Sequence, residues 1–213
     1  QYCCKNIYSE KLRGRLKMLR RIEVLKALCN KIGDKDLIIC MFGHAANDLL
    51  YLKDRPENFY MRGGMGLASS IGLGLALTVP NRRVIVIDGD GSILMNLGSF
   101  ATIARYAPKN LIHIILDNES HYTAGDLPTA TASKTDLAAV ARGAGIENSL
   151  LVKDISEFDK ALDKALSENG PHVIVAKVAR ESAMKWAPPK RLVYLKERFM
   201  RAINPDHPNL PKL

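Results

Sequence analysis

The sequence predicts an α/β fold in which a parallel sheet carries helices on both faces. Short apolar segments, typical of strands buried on both sides, alternate with segments whose apolar residues recur every three or four positions, as in amphipathic helices. Strands that alternate with helices in this way form parallel sheets through right-handed crossovers. The chain has 213 residues, 47% of them hydrophobic and 25% charged, which suits one globular domain with extensions. We expect that domain over 21–180, a basic N-terminal extension over 1–20 and a basic C-terminal tail over 181–213.

The individual elements follow from apolar periodicity and from the residues that interrupt it. Apolar residues at helical spacing predict a first helix over 9–32, which Gly33 ends. Breaks at Pro56 and Pro80 and an irregular loop up to Lys134 separate later elements. In chain order, we expect a strand at 37–41, helices at 46–52 and 66–79, a strand at 83–88, a helix at 92–106, a strand at 111–117, a helix at 136–143, a strand at 149–153, a helix at 156–167, a strand at 172–178 and a helix at 190–202.

The net charge of +9 is concentrated at the two ends of the chain. Residues 1–31 carry +7 and residues 177–213 carry +6, so that residues 32–176 carry −4. We interpret the basic ends first as solvated helix faces, and second as an attraction for an acidic partner or an anionic substrate. Nucleic acid ranks third, because no aromatic residues alternate with the basic ones to stack on bases.

The sequence favours a cytoplasmic protein without membrane association. No apolar run is long enough to span a bilayer, and we find no signal peptide. The cysteines Cys3, Cys4, Cys29 and Cys40 have neither CxxC spacing nor neighbouring histidines. This pattern argues against structural zinc and against a disulfide framework, and it fits a reducing compartment.

Polar side chains follow two successive predicted strands. Asp90 comes just after the strand at 83–88, and Asn118 directly follows the strand at 111–117, with a single helix between them. Parallel strands joined by one crossover end at the same edge of the sheet, where ligands bind. We therefore expect the two side chains to lie close together if the two strands are neighbours.

The residues around Asp90 suit a phosphate group and a metal ion. Gly89 and Gly91 let the backbone approach a ligand closely, and the helix that begins at Ser92 offers free N–H groups to a phosphate. Asp90 and Asn118 supply one charged and one neutral oxygen, a set that suits Mg²⁺ shared with phosphates. A nicotinamide dinucleotide site would need a third glycine, which is missing after Gly91. The sequence therefore predicts a metal-bridged diphosphate.

This pattern resembles the motif of thiamine diphosphate-dependent enzymes, in which Gly-Asp-Gly is followed by about 25 to 30 residues and then Asn. Here Gly-Asp-Gly stands at 89–91, and 26 residues separate it from Asn118. The resemblance implies thiamine diphosphate as cofactor, with Mg²⁺ held by the side chains of Asp90 and Asn118 and by the main-chain carbonyl of Ser120. The family often has a second Asn where this chain has Asp117, a departure that adds a carboxylate and leaves the ligand itself intact.

A second stretch closely resembles sulfopyruvate decarboxylase β subunits and phosphonopyruvate decarboxylases; it reads DRPENFYMRGGMGLASSIGLGLAL over 54–77. In the wider family, a bulky apolar residue here wedges under the cofactor and bends it, and a nearby carbonyl accepts a hydrogen bond from the aminopyrimidine. By resemblance, Met65 is the wedge and Gly63 supplies the carbonyl; the alternative is that Met65 is ordinary core packing. The resemblance covers about residues 20–180 and implies a cofactor site made of Gly63, Gly64, Met65, Gly89, Asp90, Gly91, Ser92, Asn118 and Ser120.

The resemblance implies half of an enzyme. Members of the family activate the cofactor with a Glu from a separate pyrimidine-binding domain, and this chain has no second α/β domain to hold one. We therefore expect the β subunit of a two-subunit 2-oxo acid decarboxylase, whose pyrimidine-binding α subunit carries the activating Glu. Isolated β subunits would self-associate through their unburied apolar surfaces.

The substrate end of the predicted site involves four further residues. By resemblance, His121 and Tyr122 lie in a substrate-side loop and join Met65 as catalytic candidates, and His44 and Arg62 are candidates for binding the anionic substrate. The alternative for each is a purely structural role, as a surface Arg or as a loop cap.

Several functions remain open from the sequence. The first expected substrate is sulfopyruvate, a small anionic 2-oxo acid that would yield sulfoacetaldehyde and CO₂, and the second is phosphonopyruvate. The sequence leaves sulfonate and phosphonate undecided, because both are tetrahedral anions bound by the same donors. The rival enzyme is an acetolactate synthase-like carboligase. The rival of another class is a non-catalytic regulatory or nucleic-acid-binding module, suggested by the basic ends.

Overall fold

The computed structural model describes residues 18–185 and 191–206. Its centre is a six-stranded parallel sheet in the order β2-β1-β3-β4-β8-β7, beside a small antiparallel hairpin of β5 and β6. The strands are β1 (Leu37–Cys40), β2 (Asn58–Tyr60), β3 (Val84–Gly89), β4 (Leu111–Asp117), β5 (Ser120–His121), β6 (Leu127–Pro128), β7 (Ser149–Val152) and β8 (His172–Lys177). The eight α-helices of the described residues are α1 (Arg21–Lys31), α2 (His44–Lys53), α3 (Ala68–Thr78), α4 (Asp90–Ile93), α5 (Gly98–Tyr106), α6 (Leu137–Gly143), α7 (Ile155–Ser167) and α8 (Leu192–Ile203). The predicted α/β fold with a parallel sheet is confirmed.

The sheet is buried on both faces, which explains why its strands read as continuous apolar runs. Every residue of β1, β3 and β4 is buried. Ile38 and Ile85 pack in one cluster with α1, α2 and α7, whereas Leu37 and Val84 pack in a second cluster with α3, α5, α6 and α8. Alternate residues of each strand therefore contact opposite helix layers.

Helix α1 begins later than the helix predicted over 9–32. Residues 18–20 are not helical, and the predicted part before residue 18 lies outside the described residues. The main-chain N–H of Arg20 donates to the Glu23 carboxylate at 3.1 Å, and this capping contact begins the helix at Arg21. Apolar spacing alone does not show such a start.

Strand β2 is missing from the sequence prediction. Its three residues, Asn58–Tyr60, are too few to show a period of two. The guanidinium group of Arg55 donates to the Gly33 carbonyl at 2.8 Å and to the Asp36 carbonyl at 2.5 Å, just before β1. It also donates to the Asn58 side chain at 3.0 Å. Tertiary hydrogen bonds, rather than local sequence, therefore place this edge strand beside β1.

The helix predicted over 92–106 is divided, and this part of the prediction was wrong. Helix α4 begins at Asp90, a 3₁₀ turn covers Leu94–Asn96, and α5 follows it. The Asn96 amide donates to the Gly66 carbonyl at 2.8 Å, which bonds this turn to the loop before α3. A contact between two distant segments decides the backbone here, and helical periodicity does not report it.

Helix α8 packs at the β2 edge of the sheet, in agreement with the helix predicted over 190–202. Its side chains Leu195 and Phe199 are buried. Arg198 donates two hydrogen bonds to the Asp54 carboxylate, at 2.9 and 3.0 Å, and one to the Asn58 carbonyl at 3.2 Å. The interpretation of the basic C-terminal end as a solvated helix face is therefore wrong for Arg198.

The predictions about cysteines and membrane spans can be compared with the structure only for the residues that it describes. Cys29 and Cys40 are buried with free thiols, and Cys3 and Cys4 lie outside the described residues. Among the helices in residues 18–185 and 191–206, none is both long enough and apolar enough to cross a membrane.

Candidate functional site

A cleft opens at the carboxyl edge of the sheet, where the loops after β1, β3 and β4 meet. Its lining includes Asp90, which follows β3, and Asn118, which follows β4. The two strands are hydrogen-bonded neighbours, with Gly89 opposite Leu116 in the register. The two polar side chains therefore stand at one edge of the sheet, as their spacing along the chain predicts.

The two glycines that flank Asp90 lie where a side chain would meet a neighbour. A Cβ atom on Gly91 would lie 2.5 Å from both Cε1 and Nδ1 of His121, so the imidazole ring rests against the backbone. A Cβ atom on Gly89 would lie 3.2 Å from Cε of Met41. The Asp88 carboxylate accepts a hydrogen bond from the Gly89 N–H at 2.9 Å and fixes the turn. The backbone of this turn therefore packs against His121 and Met41, with no room for side chains at positions 89 and 91.

Asp90 is a buried acid whose carboxylate is held by two hydroxyl groups. Its Oδ2 atom accepts a hydrogen bond from Thr129 Oγ1 at 2.6 Å and lies 3.3 Å from Thr131 Oγ1. Burial raises the pKa of Asp90 above its ordinary value; the hydrogen bond from Thr129 opposes this shift, and the charge of Asp117 adds to it. A cation placed at this carboxylate would offset the cost of burying it.

The loop after β4 turns sharply at Asn118. The Asn118 side-chain oxygen accepts a hydrogen bond from the Ser120 N–H at 3.1 Å, and Glu119 adopts a left-handed backbone with φ of 61°. The Ser120 hydroxyl donates to the Asp126 carboxylate at 2.5 Å, which ties β5 to the loop before β6. Asn118 and Ser120 both line the cleft, on the same side as Asp90.

Two cations at the end of β8 hold this loop in place. Lys177 Nζ lies 2.9 Å from Asp117 Oδ2 and 2.9 Å from Glu119 Oε1. Burial disfavours the Lys177 charge, but the hydrogen bonds and charges of Asp117 and Glu119 outweigh burial, so the pKa of Lys177 is raised. Arg180 donates to the carbonyls of Asn118 and Glu119 at 3.2 and 3.1 Å. The carboxylate of Asp117, which stands where the family often has an Asn, is therefore paired with Lys177 within the fold.

The glycine-rich turn before α3 brings Met65 to the cleft. Gly64 and Gly66 have φ angles of 74° and 83°, a backbone region that favours glycine. The Gly66 N–H donates to the Ser92 hydroxyl at 3.0 Å, which fixes the turn against α4. Met65 is half-buried and lines the cleft, whereas Gly63 and Gly64 are exposed. Met65 thus contacts the cleft and belongs to neither of the two core clusters of the described residues.

The predicted substrate residues separate into two groups. The rings of His44 and Tyr122 both line the cleft, with centroids 5.3 Å apart. Burial and the nearby Arg21 guanidinium lower the pKa of His44. Arg21 also lines the cleft and forms a buried ion pair with Asp48 at 2.7 Å. Arg62, in contrast, is exposed on the turn before Gly63 and does not line the cleft.

The donor set fits a magnesium ion bound together with a diphosphate. Asp90 offers one carboxylate, Asn118 an amide oxygen and the loop at Ser120 a main-chain carbonyl, and Mg²⁺ in proteins usually completes such a set with phosphate oxygens and water. In the part of the chain that the structure describes, no group of three or more His, Cys, Asp or Glu side chains could hold a metal ion. A metal ion that also binds the oxygen atoms of a diphosphate needs fewer than three such side chains from the protein.

Four residues that hold the site escape the sequence analysis. They are Thr129, Thr131, Lys177 and Arg180. The threonines lie in a segment without periodicity, so no local signal marks them. Lys177 lies opposite Asp117 in the register of β4 and β8, although 60 positions separate the two residues in the chain. A lysine at the last position of a strand was the available signal, since the strand ends meet at this edge.

Comparisons with known proteins agree with the geometry. Residues 42–176 match the family model described as thiamine pyrophosphate enzyme, C-terminal TPP binding domain. Over 187 residues, the chain is 44% identical to the sulfopyruvate decarboxylase subunit beta of Methanocaldococcus jannaschii, a match that covers 86% of this chain and 97% of that protein. Over 154 residues it is 40% identical to the phosphonopyruvate decarboxylase of Streptomyces viridochromogenes, covering 72% of this chain and 38% of that protein.

A solved structure has a similar fold. It is a thiamine diphosphate-dependent 4-hydroxybenzoylformate decarboxylase from Rhodococcus jostii RHA1, with a TM-score of 0.68 and 20% sequence identity over 79% of this chain and 34% of that one. At this identity the likeness concerns the fold alone. Together, these comparisons confirm the resemblance that the two sequence motifs indicate.

Proposed function

Since the chain belongs to the thiamine pyrophosphate enzyme family through its cofactor-binding domain, we propose that it is the diphosphate-binding β subunit of a 2-oxo acid decarboxylase that acts on sulfopyruvate. The observation that carries the proposal is the cleft in which Asp90 and Asn118 meet, in a chain that is similar to nearly the whole of a sulfopyruvate decarboxylase β subunit. The reaction yields sulfoacetaldehyde and CO₂ in the cytoplasm.

The residues of this chain bind and orient the cofactor. Asp90, Asn118 and the Ser120 carbonyl would hold Mg²⁺, and the backbone at Gly89 and Gly91 would approach the diphosphate. Thiamine diphosphate, when bound, supplies the electron sink for loss of CO₂. The loop at Asn118 and Ser120 would thus fix the diphosphate end of the cofactor in the cleft.

The remaining cleft residues act toward the rings and the substrate. Met65 supports the bent conformation of the cofactor from the turn at Gly63 and Gly64. His44, His121 and Tyr122 face the substrate, and the lowered pKa of His44 keeps its imidazole neutral near pH 7. Sulfopyruvate is a small anion, and the exposed Arg62 can reach it only from the rim of the cleft.

A partner subunit completes the site. The activating Glu of the family comes from a pyrimidine-binding domain, and in this chain Glu119 is already paired with Lys177 on the metal side of the cleft. An apolar patch of Leu67, Ile71 and Met95 is exposed beside the turn that carries Met65. Exposed apolar patches of this kind mark protein–protein contacts. We infer that a pyrimidine-binding α subunit covers this patch and carries the Glu, and that isolated β subunits self-associate there.

Calorimetry on the metal site tests the cofactor assignment. We expect Asp90→Ala to abolish Mg²⁺-dependent binding of thiamine diphosphate while the fold persists, because the carboxylate contributes little to the core. Asn118→Ala should weaken binding less, since it removes a neutral ligand. Asp34→Ala is the matched control, because Asp34 is an exposed acid at the opposite end of the sheet. Unchanged cofactor affinity in Asp90→Ala would exclude the proposed metal site.

Activity measurements test the division of labour. The purified chain should not decarboxylate sulfopyruvate by itself, and addition of the α subunit should restore turnover, with saturation at a 1:1 subunit ratio. Steady decarboxylation by this chain without a partner would contradict the proposal.

The substrate is decided in the same assay. Sulfopyruvate should have a higher kcat/KM than phosphonopyruvate, and preferred turnover of phosphonopyruvate would reassign the substrate within the same reaction. Condensation of two 2-oxo acids in place of aldehyde release would instead identify a carboligase.

A further inference from the structure

An ion pair between the partly buried Lys177 and the buried Asp117 lies next to the predicted metal ligand Asn118. Asp117, the residue before Asn118, is 1% exposed and its Oδ2 atom lies 2.9 Å from Lys177 Nζ. Lys177 also donates to the Thr131 carbonyl at 3.2 Å. Strand pairing sets this contact, because Asp117 and Lys177 are register partners at the ends of β4 and β8. The position of the lysine is therefore fixed by the sheet.

Two threonine hydroxyls separate Asp117 from Asp90. Thr131 Oγ1 lies 2.7 Å from Asp117 Oδ1, Thr129 Oγ1 lies 2.6 Å from Asp90 Oδ2, and the two hydroxyl oxygens are 2.9 Å apart. Each hydroxyl has one proton to donate. Of the two hydroxyl contacts to Asp90, the 2.6 Å contact of Thr129 is the stronger, because the shorter contact of Thr131 is the one to Asp117.

The charge balance of this cluster depends on Lys177. Asp117 and Asp90 are both buried, and the hydroxyl groups of Thr129 and Thr131 link the two carboxylates. A second ionised carboxylate beside Asn118 would also add a hard oxygen ligand, and more carboxylate charge makes a site bind divalent cations without help from a ligand. Without the charge of Lys177, the Asp117 carboxylate would also repel a diphosphate.

We propose that Lys177 is a positioning residue that holds Asp117 away from the metal, so that the cation binds with the diphosphate rather than alone. This role rests on the proposed function, because it presumes a cation shared between Asp90 and thiamine diphosphate. Lys177 does not line the cleft, so it acts through Asp117 and the Thr131 hydroxyl.

The test is a double-substitution cycle on the complete chain with its partner. The variants are Lys177→Met, Asp117→Asn and the two together, and calorimetry measures the affinity for Mg²⁺ alone and for thiamine diphosphate in saturating Mg²⁺. Lys177→Met should lower thiamine diphosphate affinity by roughly 10- to 100-fold, as loss of a residue behind a metal ligand does. Its affinity for Mg²⁺ alone should rise about tenfold, because Oδ2 of Asp117 can then join the ligand set while Oδ1 stays bonded to Thr131 and to the Glu119 N–H.

Rescue distinguishes positioning from structural support. Asp117→Asn removes the buried charge that Lys177 compensates, and Glu119, the second partner of Lys177, is partly exposed to solvent. The double variant should therefore return both affinities to within about threefold of the unsubstituted chain. Lys160→Met, on the exposed face of α7, is the control and should change neither affinity. A double variant as weak as Lys177→Met would overturn the proposal, as would a Lys177→Met variant with unchanged affinities.

Two further outcomes are decisive. If Lys177→Met fails to fold, Lys177→Arg and the double variant carry the test, and loss of the Mg²⁺-dependent affinity in both would refute the positioning role. If the unsubstituted complex has no Mg²⁺-dependent affinity for thiamine diphosphate, the proposed function fails and the positioning role fails with it. Refutation by the Lys177 variants would leave the proposed function intact, whereas a lack of Mg²⁺-dependent affinity in the unsubstituted complex would exclude it. The two failures are therefore distinguishable.

Discussion

Replacement of Gly91 by Ala tests the contact on which the cleft is built. The added Cβ atom would lie 2.5 Å from two atoms of the His121 ring. Ordinary contacts between such atoms are about 3.5 Å, so the ring has to move by about 1 Å. A side-chain ring at the cleft can rotate away, and Ala favours the short helix α4, so the free energy of unfolding should change by less than about 1 kcal/mol.

The expected cost appears in catalysis. A displacement of about 1 Å in a residue that orients the substrate lowers the rate by about 100-fold, which corresponds to about 2.7 kcal/mol of transition-state stabilisation. The assay is kcat/KM of the complex with its α subunit, with thermal unfolding measured on the same preparation. Gly98→Ala is the matched control, because nothing lies within 4 Å of a Cβ atom at Gly98.

The activity of Gly91→Ala in a chain that also carries His121→Ala separates two causes of the lost activity. If displacement of His121 is responsible, Gly91→Ala should cost little further activity in a chain that already carries His121→Ala. If the new methyl group instead blocks the diphosphate, the two losses should add. Full activity of Gly91→Ala in the unsubstituted background would refute the reasoning from the 2.5 Å contact altogether.

Two more predictions concern Met65 and His44. Met65→Ala should retain the affinity for Mg²⁺ and diphosphate but lose turnover, because the phosphates bind elsewhere and only the support under the bent cofactor is removed; turnover near that of the unsubstituted complex would contradict the wedge role. His44 has a pKa lowered by burial and by Arg21, so the folded state binds fewer protons than the unfolded state as the pH falls through about 6.5. The free energy of unfolding should therefore decrease from about pH 7.5 to 5.5 more steeply than in His44→Gln; parallel curves in denaturant titrations would show that His44 does not contribute.

The sequence predicts the sheet well because buried parallel strands leave a strong signal. Continuous apolar runs at β3 and β4 mark strands covered on both faces, and the polar residues that follow them mark their common edge. The order of these two strands along the chain is also their order in the sheet, so Asp90 and Asn118 could be placed together. Local sequence was sufficient to predict this edge because β3 and β4 follow each other in the chain and are also paired in the sheet.

The features that the sequence does not predict depend on contacts between distant segments. Strand β2 is held by Arg55, the break before α5 by Asn96, and the loop after β4 by Lys177 and Arg180. Each of these side chains reads locally as an ordinary polar residue. Only the strand order shows that the end of β8 lies beside β4, and strand order is a property of the whole sheet.

The position of β8 determines when the site can exist. Among the strands that the structure describes, it comes last in the chain, yet it lies between β4 and β7 in the sheet. Until the ribosome has released it, β4 has an open edge and the loop after β4 lacks both Lys177 and Arg180. We therefore expect a nascent or truncated chain that ends before β8 not to retain the cofactor. Cofactor binding would then occur late in synthesis, after the central sheet is complete.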